Sequence, residues 1–254
     1  MATPIDDLLD QIRDRMERAQ DAINTLVRTQ VAQGLAPLFL EQFRPYQSNE
    51  RLSAWIEQGL LNRAAFMQKS PGLLQFYKRL LVGLEPQRVL EIGVKGGGST
   101  ALWKQLYPSA TVVGMDIKLR SWLSDDGVIY VEGDQSDPAQ LTTIANEHGP
   151  FDLLIDDGSH VSDHQAISMR TLLGHVRAGG LYVVEDTHKP LKEKLDYGDD
   201  IWPGFIITVF QQLRKGPLPP ESKGSRLALD VFPAIEDLIV SAQTLAIRTR
   251  TRRD

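Results

Sequence analysis

The sequence predicts an α/β protein with a doubly wound, mostly parallel sheet, and three observations support this fold class. After Pro86, five short apolar runs alternate with segments long enough to be helices. Each run is apolar almost throughout, which is typical of parallel strands that are buried on both faces. Strands joined through helices imply right-handed crossovers, so the helices are expected to cover both faces of the sheet.

The elements follow one another in a regular order. The predicted strands are residues 88–93, 111–116, 128–132, 151–156 and 181–185. The predicted helices between them are residues 99–107, 138–148 and 163–176. A helix over 202–215, a loop at 222–225 and two β-rich runs at 235–240 and 244–249 complete the chain. The two last runs are close enough for a hairpin, so we expect a Rossmann-like sheet with a C-terminal antiparallel hairpin.

The first 85 residues are expected to form an N-terminal helical extension, and residues 86–254 the sheet domain. Between residues 5 and 30, apolar side chains recur in steps of three and four, which predicts a long amphipathic helix. Ser70 and Pro71 are typical of a helix start, and predict a further helix to about residue 83. The extension has two candidate roles: a cap over a substrate pocket, or the interface of a homo-oligomer.

Composition excludes several classes of function. The chain has 254 residues and a formal net charge of −5, whereas a general nucleic-acid binder is expected to be basic. It contains no cysteine, so disulfides, thiolate zinc sites and a cysteine nucleophile are excluded. It shows no signal-peptide pattern and no apolar stretch of about 18 residues. We therefore expect a cytoplasmic protein without a membrane span.

The first strand leads into a glycine-rich loop that is a candidate ligand site. Open α/β sheets bind ligands beyond the carboxyl ends of their strands, and glycines let the backbone turn tightly and approach a ligand. The loop reads Glu91-Ile92-Gly93-Val94-Lys95-Gly96-Gly97-Gly98-Ser99. The candidate cofactor-binding residues here are Glu91, Gly93, Lys95, Gly97 and Ser99.

The next two strand ends favour S-adenosylmethionine (SAM) over a dinucleotide. Asp116 ends the second strand 25 residues after Glu91, near the spacing at which an acid accepts the hydroxyls of a ribose. Asp134 and Gln135 follow the third strand and are candidates to face an adenine edge. Lys95 replaces the second glycine of the dinucleotide pattern G-x-G-x-x-G. Glu91 would repel a pyrophosphate, but it suits the cationic amino-acid end of SAM.

The fourth and fifth strands end in acids. The fourth reads Asp156-Asp157-Gly158-Ser159-His160 and the fifth Glu185-Asp186. Clustered carboxylates repel one another, and a divalent cation with oxygen ligands, such as Mg²⁺, relieves this repulsion. A hydroxyl is a poor nucleophile near neutral pH, so a cation and a nearby base would assist its methylation. Asp156 has two interpretations, a cofactor contact or a cap of the turn that follows it.

Three other residues are open to two interpretations each. His164 is one helical turn beyond His160, so it either contacts a substrate or is an ordinary helix residue. His188 is a second candidate for the base. Trp202 either stacks on a sugar or belongs to the core.

With these motifs, residues 89–186 resemble the metal-dependent class I SAM methyltransferases. This group includes O-methyltransferases of macrolide deoxysugars, cephalosporin hydroxylase-like proteins and mycobacterial methyltransferases of methylmannose polysaccharide. In the family, the positions that match Glu91 and Gly93 lie beside the methionine part of SAM, and the position of Asp116 holds the ribose. Lys95 departs from the commonest glycine pattern of these enzymes.

The resemblance also implies a catalytic centre. The acids that match Asp157, Glu185 and Asp186 are metal ligands, and the histidine that matches His160 is the general base, with Asp157 beside it. The resemblance thus implies a SAM-dependent O-methyltransferase with Mg²⁺.

The expected acceptor is a small molecule or an oligosaccharide with a saccharide or glycoside hydroxyl, such as a methylmannose polysaccharide precursor. Two alternatives stay open: an antibiotic-tailoring or catechol-like methyltransferase, and a SAM-binding assembly protein without catalysis.

Overall fold

The computed structural model describes residues 69, 71–121, 123, 127–187, 201–218, 221–241 and 243–251. The predictions for the N-terminal helix and for His188 lie outside the described residues. The chain divides after Gly83 into two compact units, residues 1–83 and 84–254. In the first unit, helix α1 (Pro71–Leu80) begins at a proline, as predicted, where the missing N–H leaves no hydrogen bond unmade.

The second unit is built on one seven-stranded sheet. Its strands are β1 (Arg88–Ile92), β2 (Thr111–Asp116), β3 (Val128–Glu132), β4 (Phe151–Asp156), β5 (Val176–Val184), β6 (Ile235–Val240) and β7 (Leu245–Thr249). The order in the sheet is β3-β2-β1-β4-β5-β7-β6. The first five strands are parallel, and β7 is antiparallel to both of its neighbours. The predicted fold class, including the terminal antiparallel hairpin, is confirmed.

Helices follow the strands. They are α2 (Gly98–Leu106), α3 (Pro138–His148), α4 (Ser162–Leu172), α5 (Ile201–Leu213) and α6 (Lys223–Val231). The central strands are buried on both faces, with Leu90, Leu154 and Tyr182 at 0% exposure. Within the described part of the chain, no helix combines the length and the apolar character needed to cross a membrane.

Two sequence predictions in this unit were wrong. The loop expected at 222–225 is the start of α6, because Ser222 and Ser225 form a reciprocal capping box. The same small polar residues are typical of loops and of helix caps, so composition does not separate the two. The helix expected over 163–176 ends at Leu172, and β5 begins at Val176, five residues before the predicted strand.

The strand order places the site. From β1 the chain moves outward to β2 and β3, and then returns to pair β4 with the other side of β1. The direction of winding therefore reverses between β1 and β4. Such a switch point leaves a crevice beyond the carboxyl ends of the strands, where α/β sheets bind ligands.

Candidate active site

A cavity of about 250 Å³ lies at this switch point, and we call it the tip cavity. Its walls come from the residues that follow β1, β2, β3 and β4, with three residues from the strand ends and one from α4. The lining residues are Ile92, Gly93, Met115, Asp116, Ile117, Gly133, Asp134, Gln135, Ser136, Gly158, Ser159 and His164. Four of the sequence-predicted cofactor residues are among them: Gly93, Asp116, Asp134 and Gln135.

Gly93 brings the ends of β1 and β4 together. Its φ is +94°, and a Cβ at this position would lie 2.1 Å from the carbonyl oxygen of Asp157 and 2.7 Å from the Cα of Gly158. Its N–H donates to the carbonyl of Met115 at 2.7 Å. Only glycine satisfies both the backbone conformation and the close approach.

Asp116 connects the end of β2 with the glycine-rich loop. Its Oδ2 accepts a hydrogen bond from the backbone N–H of Lys95 at 2.9 Å. Lys95 itself has a φ of +48°, a conformation that a non-glycine residue rarely adopts, and its side chain is exposed. The backbone of the loop is therefore fixed to Asp116.

Asp134 gives one wall of the tip cavity a negative charge. Its Oδ1 accepts hydrogen bonds from both the backbone N–H and the hydroxyl of Ser136, each at 2.7 Å. These two bonds hold the pKa of the carboxyl below its ordinary value of 3.8. The wall therefore offers an ionised acceptor to a ligand that carries N–H donors.

Asp156 is turned into the protein. It is 0% exposed, and its carboxylate accepts hydrogen bonds from the Gln135 amide and the Ser168 hydroxyl. Burial raises the pKa of this carboxyl to about 6, although the bond from Ser168 opposes the shift. Its side chain does not line the tip cavity, so it acts on the site through Gln135.

Besides Lys95, three predicted cofactor residues of the first strand end lie outside the cavity lining. Glu91 is 0% exposed and accepts a hydrogen bond from the indole N–H of Trp103 at 3.1 Å. Gly97 caps α2 with a φ of +78°, and Ser99 is buried in the first turn of that helix. These residues shape the strand end and the helix that follows.

Asp157, His160 and Asp186 form an acid–histidine cluster, with one ligand atom from each residue lying within 4.8 Å of the others. The Nδ1 of His160 lies 3.7 Å from Asp186 Oδ2 and 3.9 Å from Asp157 Oδ1. The three side chains are 22–23% exposed, so the cluster is open to a ligand.

Two members of this cluster have strained backbones. The φ of His160 is +59° and that of Asp186 is +55°. Non-glycine residues in this region carry a conformational cost, and such residues concentrate at functional sites.

Glu185 is placed differently from its neighbour Asp186. It is 1% exposed and does not belong to the acid–histidine cluster. Its backbone N–H donates to the carbonyl of Asp156, and its carbonyl accepts from the Gln165 amide, both at 2.9 Å. Gln165 in turn accepts from the indole of Trp202, which is 2% exposed and belongs to the core.

The other eight lining residues were not among the predicted cofactor residues, and they include Ile117, Ser159 and His164. Ile117 is 71% exposed and directly follows the acid that ends β2, an arrangement that offers an apolar surface beside the acid. His164 Nδ1 lies 3.1 Å from the Ser159 hydroxyl. The spacing of four residues from His160 indicated that His164 could share its face. The spacing alone did not show whether His164 lines a cavity or lies on an ordinary helix surface.

The turn after β4 serves both parts of the site. Gly158 and Ser159 line the tip cavity, whereas Asp157 and His160 belong to the acid–histidine cluster. A ligand in the cavity would therefore adjoin two carboxylates and an imidazole. This set can hold a divalent cation and accept a proton beside a bound cofactor.

Comparison with known proteins identifies the family. The profile of the family "Rhamnosyl O-methyltransferase/CmcI" matches residues 60–204, more than half of the chain. The chain belongs to this family. The matched range includes all the candidate site residues.

Curated relatives are O-methyltransferases by name. Demethylmacrocin O-methyltransferase of Streptomyces fradiae is 41% identical over 128 residues, which are 48% of this chain and 30% of that protein. Mycinamicin VI 2''-O-methyltransferase of Micromonospora griseorubida is 42% identical over 125 residues, 46% of this chain and 29% of that protein. The chain thus spans about a third of the length of these relatives.

Solved structures of MycE methyltransferase from the mycinamycin biosynthetic pathway share the fold. The complex with Mg, SAH and mycinamycin VI has a TM-score of 0.60 and 26% identity, and covers 82% of this chain and 55% of that one. A second crystal form with Mg and SAH has a TM-score of 0.58 and 30% identity, with coverage of 70% and 48%.

Proposed function

We propose that this chain is a SAM-dependent O-methyltransferase that methylates a sugar hydroxyl with the help of Mg²⁺. The observation that carries the proposal is the turn at 157–160, whose two middle residues line the tip cavity and whose two outer residues belong to the acid–histidine cluster. Methyl transfer needs this adjacency, because the donor and the activated hydroxyl must meet within van der Waals distance. The similarity to MycE, whose structures contain Mg and SAH, supports the pairing of cofactor and cation.

The tip cavity is the proposed SAM site. Asp116 would accept the ribose hydroxyls, and Asp134 with Ser136 would face the amino edge of the adenine. Gly93 lets the end of β1 approach the β4 turn at the wall of this cavity. Ile117 offers an apolar surface to one face of the base.

Glu91, Lys95, Gly97 and Ser99 are proposed to serve the methionine end indirectly. Glu91 places a buried carboxylate near the carboxyl end of β1, and its negative charge suits the cationic amino-acid group of SAM. The other three shape the backbone of the loop and the start of α2.

Asp157 and Asp186 are the proposed holders of the cation. Magnesium binds proteins through one or two carboxylates and keeps other positions for water and substrate, which agrees with two carboxylates that are each about a fifth exposed. Glu185, the third ligand that the family resemblance implies, is buried beside them, and its contribution is tested separately below. A bound divalent cation would supply positive charge that lowers the pKa of a neighbouring hydroxyl.

His160 is the proposed general base. Its imidazole would take the proton of the sugar hydroxyl while the oxygen attacks the methyl carbon of SAM and the carbon–sulfur bond breaks. The products are a methyl ether, S-adenosylhomocysteine (SAH) and a protonated imidazole. The carboxylates of Asp157 and Asp186, 3.9 and 3.7 Å from Nδ1, stabilise the charge that the ring gains.

The acceptor is proposed to be a saccharide or glycoside hydroxyl. The relatives named above are, by their names, O-methyltransferases of demethylmacrocin and mycinamicin VI. A rhamnosyl O-methyltransferase of Mycobacterium tuberculosis is 27% identical over 140 residues, 51% of this chain and 54% of that protein. A glycosylated antibiotic and a methylmannose polysaccharide precursor are both within this class.

The test is methyl transfer from labelled SAM to a panel of mannosides, rhamnosides, macrolide glycosides and catechols. Transfer to a glycoside that stops with EDTA and returns with Mg²⁺ is the expected result. Asp157→Asn and His160→Ala should reduce turnover at least 100-fold, whereas the matched surface control Asp230→Asn should not. Asp230 lies on α6 and pairs with Arg170 at 3.0 Å, away from the site.

Two outcomes would contradict the proposal. Transfer that is unaffected by EDTA would remove the cation from the reaction. If the protein binds SAH tightly but transfers no methyl group to any acceptor, and if Asp157→Asn leaves the SAH affinity unchanged, a SAM-binding assembly protein is favoured. Glu185→Gln tests the third acid by itself. A loss of cation affinity equal to that caused by Asp157→Asn would show that Glu185 is a ligand of the cation.

A further inference from the structure

Gln135 connects two loops whose strands are not neighbours. It follows β3, whereas its partners Asp156, Ser159 and Ser168 belong to the end of β4, the turn after it and α4. In the sheet, β2 and β1 separate β3 from β4. The side chain therefore bridges the switch point above two strand ends.

The contacts of Gln135 require a primary amide. Its Oε1 accepts the backbone N–H of Ser159 at 2.9 Å, and its Nε2 donates to Asp156 and lies 3.3 Å from the Ser168 hydroxyl. Glutamate would lose the donor, and an apolar side chain would lose both functions. The residue is 6% exposed, so its lost bonds would not be replaced freely by water.

The packing around Gln135 is equally close. A Cβ at Gly158 would lie 2.4 Å from the Gln135 Oε1. The amide therefore fixes the turn after β4 by contact as well as by hydrogen bonds. A displacement of either loop would be transmitted to the other.

We propose that Gln135 is a positioning residue that couples cofactor binding to cation binding, an inference that rests on the function proposed above. Its chain neighbours Asp134 and Ser136 line the tip cavity, and its partner Ser159 lies between Asp157 and His160 in the sequence. A nucleoside that orders the loop after β3 also fixes the turn that carries the acid–histidine cluster. The coupling is reciprocal, so the cation strengthens cofactor binding by the same factor.

The test is a double binding experiment on the full chain. The Kd of SAH is measured by calorimetry with and without Mn²⁺, and the Kd of Mn²⁺ by electron paramagnetic resonance with and without SAH. In the wild-type protein we expect each ligand to tighten the other about tenfold, within the usual range of coupling between sites. Gln135→Met, which keeps the length of the side chain, should reduce this factor to about one.

Gln140→Met is the matched control. Gln140 Oε1 also holds the loop after β3, by accepting the N–H of Asp134 at 3.0 Å, but none of the bonds found for it reaches the turn after β4. Its coupling factor should stay near that of the wild type. Gln135→Asn, which keeps the amide but shortens its reach, is the second variant should Gln135→Met unfold, and it should also lose the coupling.

The outcomes separate this inference from the proposed function. A Gln135 variant that binds both SAH and Mn²⁺ more weakly but keeps the tenfold coupling between them would show that Gln135 has only a structural role, and it would overturn the inference. A wild-type protein that binds both ligands independently would overturn it as well and leave the proposed function intact. A wild-type protein that binds neither SAH nor Mn²⁺ would refute the proposed function itself.

Discussion

Gly93→Ala tests whether the close contact between the ends of β1 and β4 builds the site. The new Cβ would lie 2.1 Å from the Asp157 carbonyl oxygen, whereas real Cβ contacts are not found below 3.0 Å, so the two backbones must separate by at least 0.9 Å. Alanine in a left-handed conformation costs about 1–2 kcal/mol. Forced displacement of packed groups adds about 1–3 kcal/mol, for a total of about 2–5 kcal/mol.

Gly179→Ala is the control for the backbone conformation alone. Gly179 has a φ of +78°, but a Cβ there would meet only the Thr251 methyl at 3.4 Å, an ordinary contact. It should destabilise the protein by about 1–2 kcal/mol through the backbone conformation alone. Urea unfolding gives the free energy of unfolding of both variants and of the wild type. The loss in Gly93→Ala beyond that in Gly179→Ala is then the contribution of the contact with the β4 turn.

The two variants should also differ in Mn²⁺ affinity. A displacement of 0.9 Å in the backbone of Asp157 moves one side of the acid–histidine cluster, so Gly93→Ala should weaken Mn²⁺ binding at least tenfold. Gly179→Ala should not change it. Equal unfolding free energies and equal Mn²⁺ affinities of the two variants would refute the idea that this contact positions the turn.

Three further predictions concern residues with defined partners. Burial raises the pKa of Asp156 from 3.8 to about 6, so the folded protein loses stability as the pH rises through this window, by about 3 kcal/mol in total. In Asp156→Asn this pH dependence should disappear. Urea unfolding of the wild type and the variant in EDTA between pH 4.5 and 7.5 measures the free energy of unfolding. Parallel curves of this free energy against pH would show that the carboxyl does not titrate. Ser222→Ala removes the capping box of α6 and should cost about 1 kcal/mol, against a few tenths for Ser222→Gly; equal unfolding midpoints would contradict this role. Asp116→Asn should weaken SAH binding about 10- to 100-fold in calorimetry, and a 2′,3′-dideoxy analogue of SAH should show no such loss if Asp116 acts on the ribose.

The sheet was predictable because its signals are local and periodic. Apolar runs of five or six residues between turn residues favour strands, and the topology rules then place the carboxyl ends of parallel strands at one edge. Residues such as Asp116 and Asp157 could thus be assigned to one site from sequence alone. The start of α6 was not predictable from composition, because Ser222 and Ser225 form a cap only through two reciprocal side-chain bonds.

Within the site, the roles of individual side chains needed the structure. Gln135 was predicted to face an adenine, but its amide forms hydrogen bonds with Asp156 and Ser159. His164 was left between a substrate contact and an ordinary helix residue, and it lines the tip cavity. Both outcomes depend on how loops from separated strands meet, and no periodicity in the sequence encodes that meeting.

The two acidic pairs at the ends of β4 and β5 show why one acid of each is buried. Asp156 is the last residue of β4 and Asp157 follows it, whereas Glu185 and Asp186 both lie beyond β5 and Asp186 has a left-handed backbone, so the two side chains of each pair point into different environments. Asp156 and Glu185 are 0% and 1% exposed, whereas the side chains of Asp157 and Asp186 are 23% and 22% exposed and meet at His160.

The buried member of each pair needs polar partners inside the protein, and α4 provides them for both strands. Ser168 donates to the Asp156 carboxylate, and Gln165 donates to the carbonyl of Glu185. Both are 0% exposed, on a helix face that an apolar pattern would fill with hydrophobic residues. Ser168 on this buried face therefore supplies a donor to the inward carboxylate of Asp156, whereas Gln165 fixes the backbone after β5 through the carbonyl of Glu185.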